Sequence, residues 1–598
     1  MIAPGWLTHQ WRDRDRFLIL IDAQHLNERF AALQALWEAD PQHCERLHVV
    51  SFREQVADTV HRTEACDGRV TLTVYRGDPV TVVSKMRLSV DALWFGEHSA
   101  ADLRLLQWLA RKASRPGAQL AGPVTESTQA VLRRLGFEAL PDQVAGPWKR
   151  RLRPEVDLKP PAIPAKPGPI GGQVAIVIGA GLAGAAVATE LAQRGWQVQV
   201  LERGDHIASE ASGNPAAAFR PHVSMDDCPL SRLSRAGVEA LDRSLMRHGA
   251  YDDQIAQRTG LIEVARDLAD ADRLAILARS ASSLSGRTRG VQMVDQDAAS
   301  TIAGTRLRLG GLWLHDAGWA RPPALCARWL GLDARALPWT ARIQVRLGVQ
   351  AHDLIQEAGQ WVVRDAIGQE LARASVVVLA NPQTAVALAE RAGGAVAPLR
   401  MVPGAIGRFG PEQLPAVRCA LSGAGYLLPE SAGEVIAGAD YEGGAVTTSA
   451  LSSLLIDGAG LVSDEINCDE GDRAEVNRNE DDRAADGGIA PRFGVRSSVR
   501  YATRDHLPVV GLVPMAGGLA DLAAGTMLPN IPRLPGLFIL SGYGSRGLVW
   551  ASLMAQLVAA RISGEPDPLD SDLVDAIDPA RFWRRDRLNR TIRALTSG

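Results

Sequence analysis

The segment VAIVIGAGLAGAAVATELAQRGWQVQVLER, Val174 to Arg203, holds the residues whose types and spacing speak most directly of chemistry. Gly179, Gly181 and Gly184 form a G-x-G-x-x-G pattern, with Ala180 inside it. The first glycine permits a tight turn, the second lets backbone approach a pyrophosphate, and the third lets a helix pack closely on a strand. The phosphates then face the amides of a helix N-terminus. Glu202 and Arg203 close the following strand, where an acidic side chain accepts hydrogen bonds from ribose hydroxyls. This is the chemistry of dinucleotide binding, and the glycines alone leave FAD and NAD both open.

A second set lies near the C-terminus. LPGLFILSGYGSRGLVWASLMAQLVAARISG runs from an apolar strand through Gly542, Gly544, Ser545, Arg546 and Gly547 into a long apolar helix. A helix N-terminus in that place stabilises negative charge on a reduced flavin ring. VVVLAN, Val376 to Asn381, resembles the strand that returns to the nucleotide domain in FAD enzymes of the glutathione-reductase type. These two features select FAD.

The elements that must position these residues fall into two modules. PEVDLKPPAIPAKPGPIGG, residues 154–172, is too rich in proline for a helix or central strand and reads as a semi-rigid linker. Upstream, FLILID, RLHVVSF, RVTLTVY and VDALWF read as buried strands alternating with helices such as NERFAALQALWEAD, which predicts a small α/β sheet. At 598 residues more than one core is required. The six cysteines are scattered without metal-ligand spacing, so neither a metal site nor a disulfide framework is expected. No apolar run has the length of a signal peptide core or a membrane span, and the expectation is a cytoplasmic protein with no membrane contact. A net charge of −3 gives no global pull toward a polyanion. RNA contacts would have to come from local clusters, foremost Lys149 to Arg153 and the run Arg581, Arg584, Arg585, Arg587, Arg590 and Arg593. The acidic stretch Asp464 to Asp486 reads as a solvated loop or helix without chemistry.

VRYATRDHLPVVG, Val499 to Gly511, resembles the Arg-x-x-Thr-x-Asp-x-x-Pro signature of the D-amino-acid oxidase and glycine oxidase class. That resemblance implies that Arg500 pairs with a substrate carboxylate, and that Thr503, Asp505 and Pro508 shape a turn beside the flavin. A guanidinium fork suits the task because it binds both oxygens at once. ASGNPAAAFRP, GGLWLHDAGWARPPALC, YATRDHLPVVG and GYGSRGL, with an α/β module ahead of them, resemble the family of bifunctional tRNA 5-methylaminomethyl-2-thiouridine biosynthesis proteins. The match adds Ser212, Gly213 and Asn214 to the cofactor-binding set. It implies a substrate tRNA, oxidative removal of the carboxymethyl group from a 5-carboxymethylaminomethyl wobble uridine, and a following methylation by S-adenosylmethionine.

The implied fold is α/β. A Rossmann-like, methyltransferase-type domain occupies residues 1–153, followed by the linker and an FAD-dependent oxidoreductase over residues 173–598. The FAD-binding parts are expected at about 173–226, 341–398 and 497–598, and an inserted α+β substrate domain at about 227–340 and 399–496. A monomer is expected.

The first module departs from the family pattern. Where the family has a glycine-rich turn after its first strand, this chain reads Asp22, Ala23, Gln24, His25 and Leu26. Side chains there obstruct close backbone approach to a methyl donor. Where the family has Asp-Gly-Phe-x-Pro, it reads Trp94, Phe95, Gly96, Glu97, His98 and Ser99. The first strand also begins nearer the N-terminus than in the family. The domain reads as degenerate, kept for its fold. Two other assignments fit parts of the pattern: a free glycine or sarcosine oxidase, and a non-catalytic RNA-binding protein with a structural flavin.

Overall fold

A computed structural model describes residues 7–12, 14–53, 61–85, 90–94, 104–105, 107–108, 118–121, 126–139, 148–150, 173–284, 290–423, 425–438, 492–520, 522–523 and 526–586. The proline-rich linker, most of the loop after Trp94, Arg151 to Arg153, the acidic stretch, and the arginines from 587 onward lie outside these residues. The chain forms two compact units: Met1–Gly171 with Ala559–Val574, and Gly172–Val558 with Asp575–Gly598.

The first unit is built on one sheet whose central strands alternate with helices. Its elements include β1 (Arg16–Ile21), α1 (Leu26–Ala39), β2 (Arg46–Arg53), β3 (His61–Ala65), β4 (Val70–Arg76), β5 (Ala92–Trp94), β6 (Gln119–Ala121), β7 (Phe137–Ala139) and β8 (Trp148–Arg150). The strand order is β3-β4-β2-β1-β5-β6-β8-β7. Strands β4, β2, β1, β5 and β6 run parallel to one another, which buries both faces and explains the continuous apolar runs read from the sequence. One face packs Leu18, Leu20, Val50 and Phe52, the other Phe17, Ile19, Val49 and Trp37. The order reverses between β1 and β5.

The second unit carries a parallel sheet and a larger, mostly antiparallel one. The parallel sheet includes β9 (Val174–Ile178), β10 (Gln197–Leu201), β11 (Ile343–Arg346) and β12 (Val376–Leu379). Between β9 and β10 runs α2 (Leu182–Gln193), whose residues are nearly all buried, as its apolar and small side chains demand. Strand β13 (Arg400–Phe409) pairs with β14 (Val495–Ala502) over eight residues, and β14 is the edge of the antiparallel sheet. That edge strand spans the expected boundary at residue 497. Strand β15 (Val509–Pro514) pairs antiparallel with β16 (Arg533–Ser541), which completes the parallel sheet beside β12 and leads to α3 (Gly547–Ser563). Among the described residues, no helix is long and apolar enough to cross a membrane.

Two histidines link this packing to pH. His48 in the first unit is fully buried, and burial pushes it from 6.5 down to about 4. His248 in the second is 2% exposed and, again through burial, is pushed to about 4. Its Nδ1 donates to the Ser244 carbonyl at 2.8 Å, which keeps the neutral ring in place. Folded values below the ordinary one mean that the stability is fully present above about pH 6.5 and is lost as pH falls toward about 4. Each histidine contributes on the order of 3 kcal/mol over that window. Thermal melts from about pH 8 to about pH 5 are expected to show a falling Tm below about pH 6.5, and a flat profile there would contradict the assignment.

Candidate active site

The glycine turn folds as its residue types require. Gly179, with φ of 108°, ends β9 against the Ala380 carbonyl and Asn381, where a Cβ would lie 3.1 Å from each. Gly181 is the N-cap of α2, and a Cβ there would sit 2.8 Å from Ser212 Oγ. Ser212 Oγ accepts from the Leu182 amide at 3.0 Å, so the hydroxyl stands at the helix N-terminus. Glu202 is 7% exposed; its Oε2 accepts from the Ala180 amide at 2.7 Å and its Oε1 from the Gly204 amide at 2.9 Å. The carboxylate therefore ties the end of β10 to the glycine turn and keeps lone pairs for a ribose.

A cavity of about 520 Å³ opens over this turn. It is lined by Gly179, Gly181, Glu202, Arg203, Ser212 and Asn214, by Arg500, and by the run Gly542 to Gly547, whose last glycine packs against Leu182 at the start of α2. Three residues of the expected set do not face it. Ala180 is fully buried and contributes its amide to Glu202. Gly184 is the close-packing glycine, with Gly179 against its Cα. Gly213 makes room for Arg496, whose Nη2 donates to the Ser209 carbonyl at 3.0 Å and the Glu210 carbonyl at 3.2 Å. Arg203 lines the cavity while paired with Glu210.

Arg500 projects from β14 opposite Val402 of β13. Its guanidinium lies over Gly404, where any Cβ would collide with it, and Nη2 approaches the Pro403 carbonyl at 3.4 Å. The expected turn follows: Thr503 Oγ1 donates to the Leu507 carbonyl at 2.6 Å, and His506 takes φ of 58°. Asp505 is fixed from behind by Arg581 at 2.9 Å; burial raises its carboxyl, but the bond and charge of Arg581 hold it below the usual range. Arg581, expected on an RNA-facing surface, is 8% exposed and serves this turn instead. Arg584 and Arg585 are exposed.

Four charged or aromatic cavity residues were given no role by the sequence: Arg220, at the end of the ASGNPAAAFRP motif, His222 in the same loop, and Arg400 and Tyr426 from strands far along the chain. Arg220 pairs with Glu263 at 2.6 Å. His222 is pushed down to about 4 by burial and then by the charges of Arg546 and Arg220, so it is neutral in this cationic surround. Arg400, two residues from Val402 on the same face of β13, is exposed at the rim.

The residues fit FAD. Asn214 Oδ1, Asn381 Oδ1, Ser541 Oγ and Tyr543 Oη line the cavity as buried atoms without a hydrogen-bond partner among the described residues. Buried polar groups are ordinarily satisfied, so four of them along one cavity call for a polar ligand of matching length. Gly542 and Gly544, at φ of 72° and 53°, bring left-handed backbone to the same cavity.

The sequence profile of the FAD dependent oxidoreductase family matches residues 175–561. The tRNA 5-methylaminomethyl-2-thiouridine biosynthesis bifunctional protein MnmC of Burkholderia thailandensis is 33% identical over 97% of this chain and 92% of its own length. The protein of the same name from Azoarcus sp. (strain BH72) is 33% identical, covering 98% and 92%. Among solved structures, glycine oxidase from Geobacillus kaustophilus aligns with a TM-score of 0.49 at 21% identity, over 69% of this chain and 99% of that one. The expectation of an FAD-dependent oxidoreductase acting on a CH–NH bond stands. With its glycine turn, its cavity and nearly its whole length matched, the chain belongs to the MnmC family of bifunctional tRNA-modification proteins.

Proposed function

We propose that the protein removes the carboxymethyl group from a 5-carboxymethylaminomethyl wobble uridine of tRNA, leaving the 5-aminomethyl base and releasing glyoxylate. The observation that carries the reading is Arg500, set by β14 in the same cavity as the glycine turn. The substrate arm is a secondary amine bearing a carboxylate, in effect an N-substituted glycine. Arg500 holds the carboxylate with two charge-assisted hydrogen bonds, and the Tyr426 phenol lines the same cavity. The amides of the glycine turn and Ser212 would hold the pyrophosphate, and Glu202 the ribose.

FAD, when bound, accepts the two electrons of the C–H bond. Loss of that hydrogen from carbon and of a proton from nitrogen gives an imine, and water then adds to its carbon. The C–N bond breaks on the glyoxylate side, so the amine stays on the base. Holding the carboxylate fixes the carbon against the acceptor, and orientation of this kind supplies much of the rate.

The tRNA substrate is supported by the names of the relatives and by the rim. Arg400 is exposed there and makes no ion pair among the described residues, as a phosphate contact requires. The domain limits given above, a monomeric state and a cytoplasmic site of action belong to the same reading. So does loss of the family's methylation step, because the first unit has no glycine between β1 and α1.

The test uses purified holoenzyme with tRNA carrying the carboxymethylaminomethyl group, with free glycine and with sarcosine, each with and without S-adenosylmethionine. The aminomethyl nucleoside and glyoxylate are expected from tRNA alone, with no methylated nucleoside in any arm. Flavin bleaching by glycine or sarcosine with tRNA unchanged would overturn the proposal in favour of a small-molecule oxidase.

A further inference from the structure

In a doubly wound sheet the ligand site is the crevice at the carboxyl ends of the strands where their order reverses. In the first unit that is the gap between β1 and β5, paired as Ile21 with Trp94. Asp22 follows β1 directly and is 2% exposed; Trp94, the last residue of β5, is 8% exposed. Between them lies Arg29, from the first turn of α1, 4% exposed. Its Nη1 donates to Asp22 Oδ1 at 2.9 Å and to the Trp94 carbonyl at 3.1 Å. The guanidinium carbon stands 4.8 Å from the centre of the Trp94 ring. A carboxylate, a carbonyl and an indole face make a receptor for a cation.

We propose that Arg29 is the ligand of this site: the chain's own guanidinium fills the crevice in which a methyltransferase holds its cationic methyl donor. The inference rests on the proposed loss of methylation and supplies its physical cause. S-adenosylmethionine carries a sulfonium and an ammonium, so it competes for the same carboxylate and carbonyl. To enter, it must expel a buried guanidinium already paired with Asp22, and breaking a buried ion pair is costly. The turn has been rebuilt to match. His25 takes the left-handed φ of 52° that a glycine would take freely, and the Gln24 amide is spent on Asp22 Oδ1 at 3.1 Å. S-adenosylmethionine thus does not fit the residues present.

Arg29→Ala would empty the receptor while leaving its walls, and a small guanidinium should then refill it. The experiment follows thermal unfolding of full-length holoenzyme, wild type, Arg29→Ala and Arg29→Lys, with methylguanidinium, with tetramethylammonium at equal ionic strength, and with S-adenosylmethionine. Arg29→Ala is expected to lower one unfolding transition by about 5 °C or more, and methylguanidinium with a Kd on the order of 1 mM to restore it. Tetramethylammonium should not, because it has no N–H to donate. Wild type should shift with none of the three. If Arg29→Ala does not fold, Arg29→Lys, which keeps the charge and loses the fork, should show a smaller fall and a weaker rescue. A rise in wild-type Tm with micromolar S-adenosylmethionine overturns the inference, as does a variant that methylguanidinium restores no better than salt. The oxidation assay on tRNA is read separately, so failure there leaves this result standing, and failure here leaves that one.

Discussion

Arg500→Ala is expected to lower kcat/KM for the carboxymethylaminomethyl substrate roughly a thousandfold, since losing one partner of a desolvated charge pair costs on the order of 3–5 kcal/mol. Both KM and kcat should suffer. The carboxylate is then less well bound, and the carbon to be oxidised is no longer held against the flavin. Arg500→Lys keeps the charge and loses the two-pronged geometry, and should recover only part of the deficit. Bound flavin should remain at the wild-type level in both variants, because the glycine turn, Glu202 and Ser212, which hold the nucleotide in the proposed reading, are unchanged. Steady-state kinetics on modified tRNA, with flavin content measured on the same samples, decides the matter. An Arg500→Ala enzyme with unchanged kcat/KM would refute the carboxylate role, and with it the substrate assignment.

Gly184→Val should yield a protein without flavin. A Cβ at this position would lie 2.9 Å from the Gly179 carbonyl carbon and closer still to its oxygen, with Val177 Cγ1 at 3.3 Å. Backbone of the phosphate turn cannot give way as a flexible side chain can, so α2 must move off β9. Overpacking of this kind costs about 1–3 kcal/mol or more in stability, and the displaced helix N-terminus leaves the pyrophosphate without its amides. FAD affinity should fall by about a hundredfold or more, equivalent to roughly 3 kcal/mol. Gly348→Ala provides the contrast. Its φ of 67° strains any side chain, but a Cβ there meets nothing within 4 Å. The strain costs on the order of 1 kcal/mol, and the flavin should be retained. Visible flavin absorption of the purified proteins separates the two. A fully loaded Gly184→Val protein would mean that helix and strand need not touch at this point.

The difference between these two glycines shows where sequence reading succeeds and where it stops. Gly184 was legible because its partners, Gly179 and Val177, lie within a few residues of it, so a fixed spacing encodes the contact. The FAD class, the acid at Glu202 and the run Gly542 to Gly547 were legible for the same reason: strand, turn and helix are consecutive in the chain. Gly213 had the same kind of local signal, yet its contact is Arg496, far along the chain. Arg581 sat in a basic run that reads as surface, and only the fold shows it buried behind Asp505.

By itself, then, the sequence determined the family, the cofactor and the order of the elements, because each rests on short-range patterns of hydrophobicity and glycine. The tertiary structure decided which side chains share the cavity. Arg500 and Arg400 reach it from the antiparallel sheet, Tyr426 from a short strand of that sheet, and His222 and Arg220 from a loop. It also gave a physical form to the departures in the first unit. The missing glycines between β1 and α1 read as a loss, but in three dimensions the space near them is taken by Arg29, held between Asp22 and Trp94. Convergence of residues from distant strands depends on strand order and register, which no local spacing specifies.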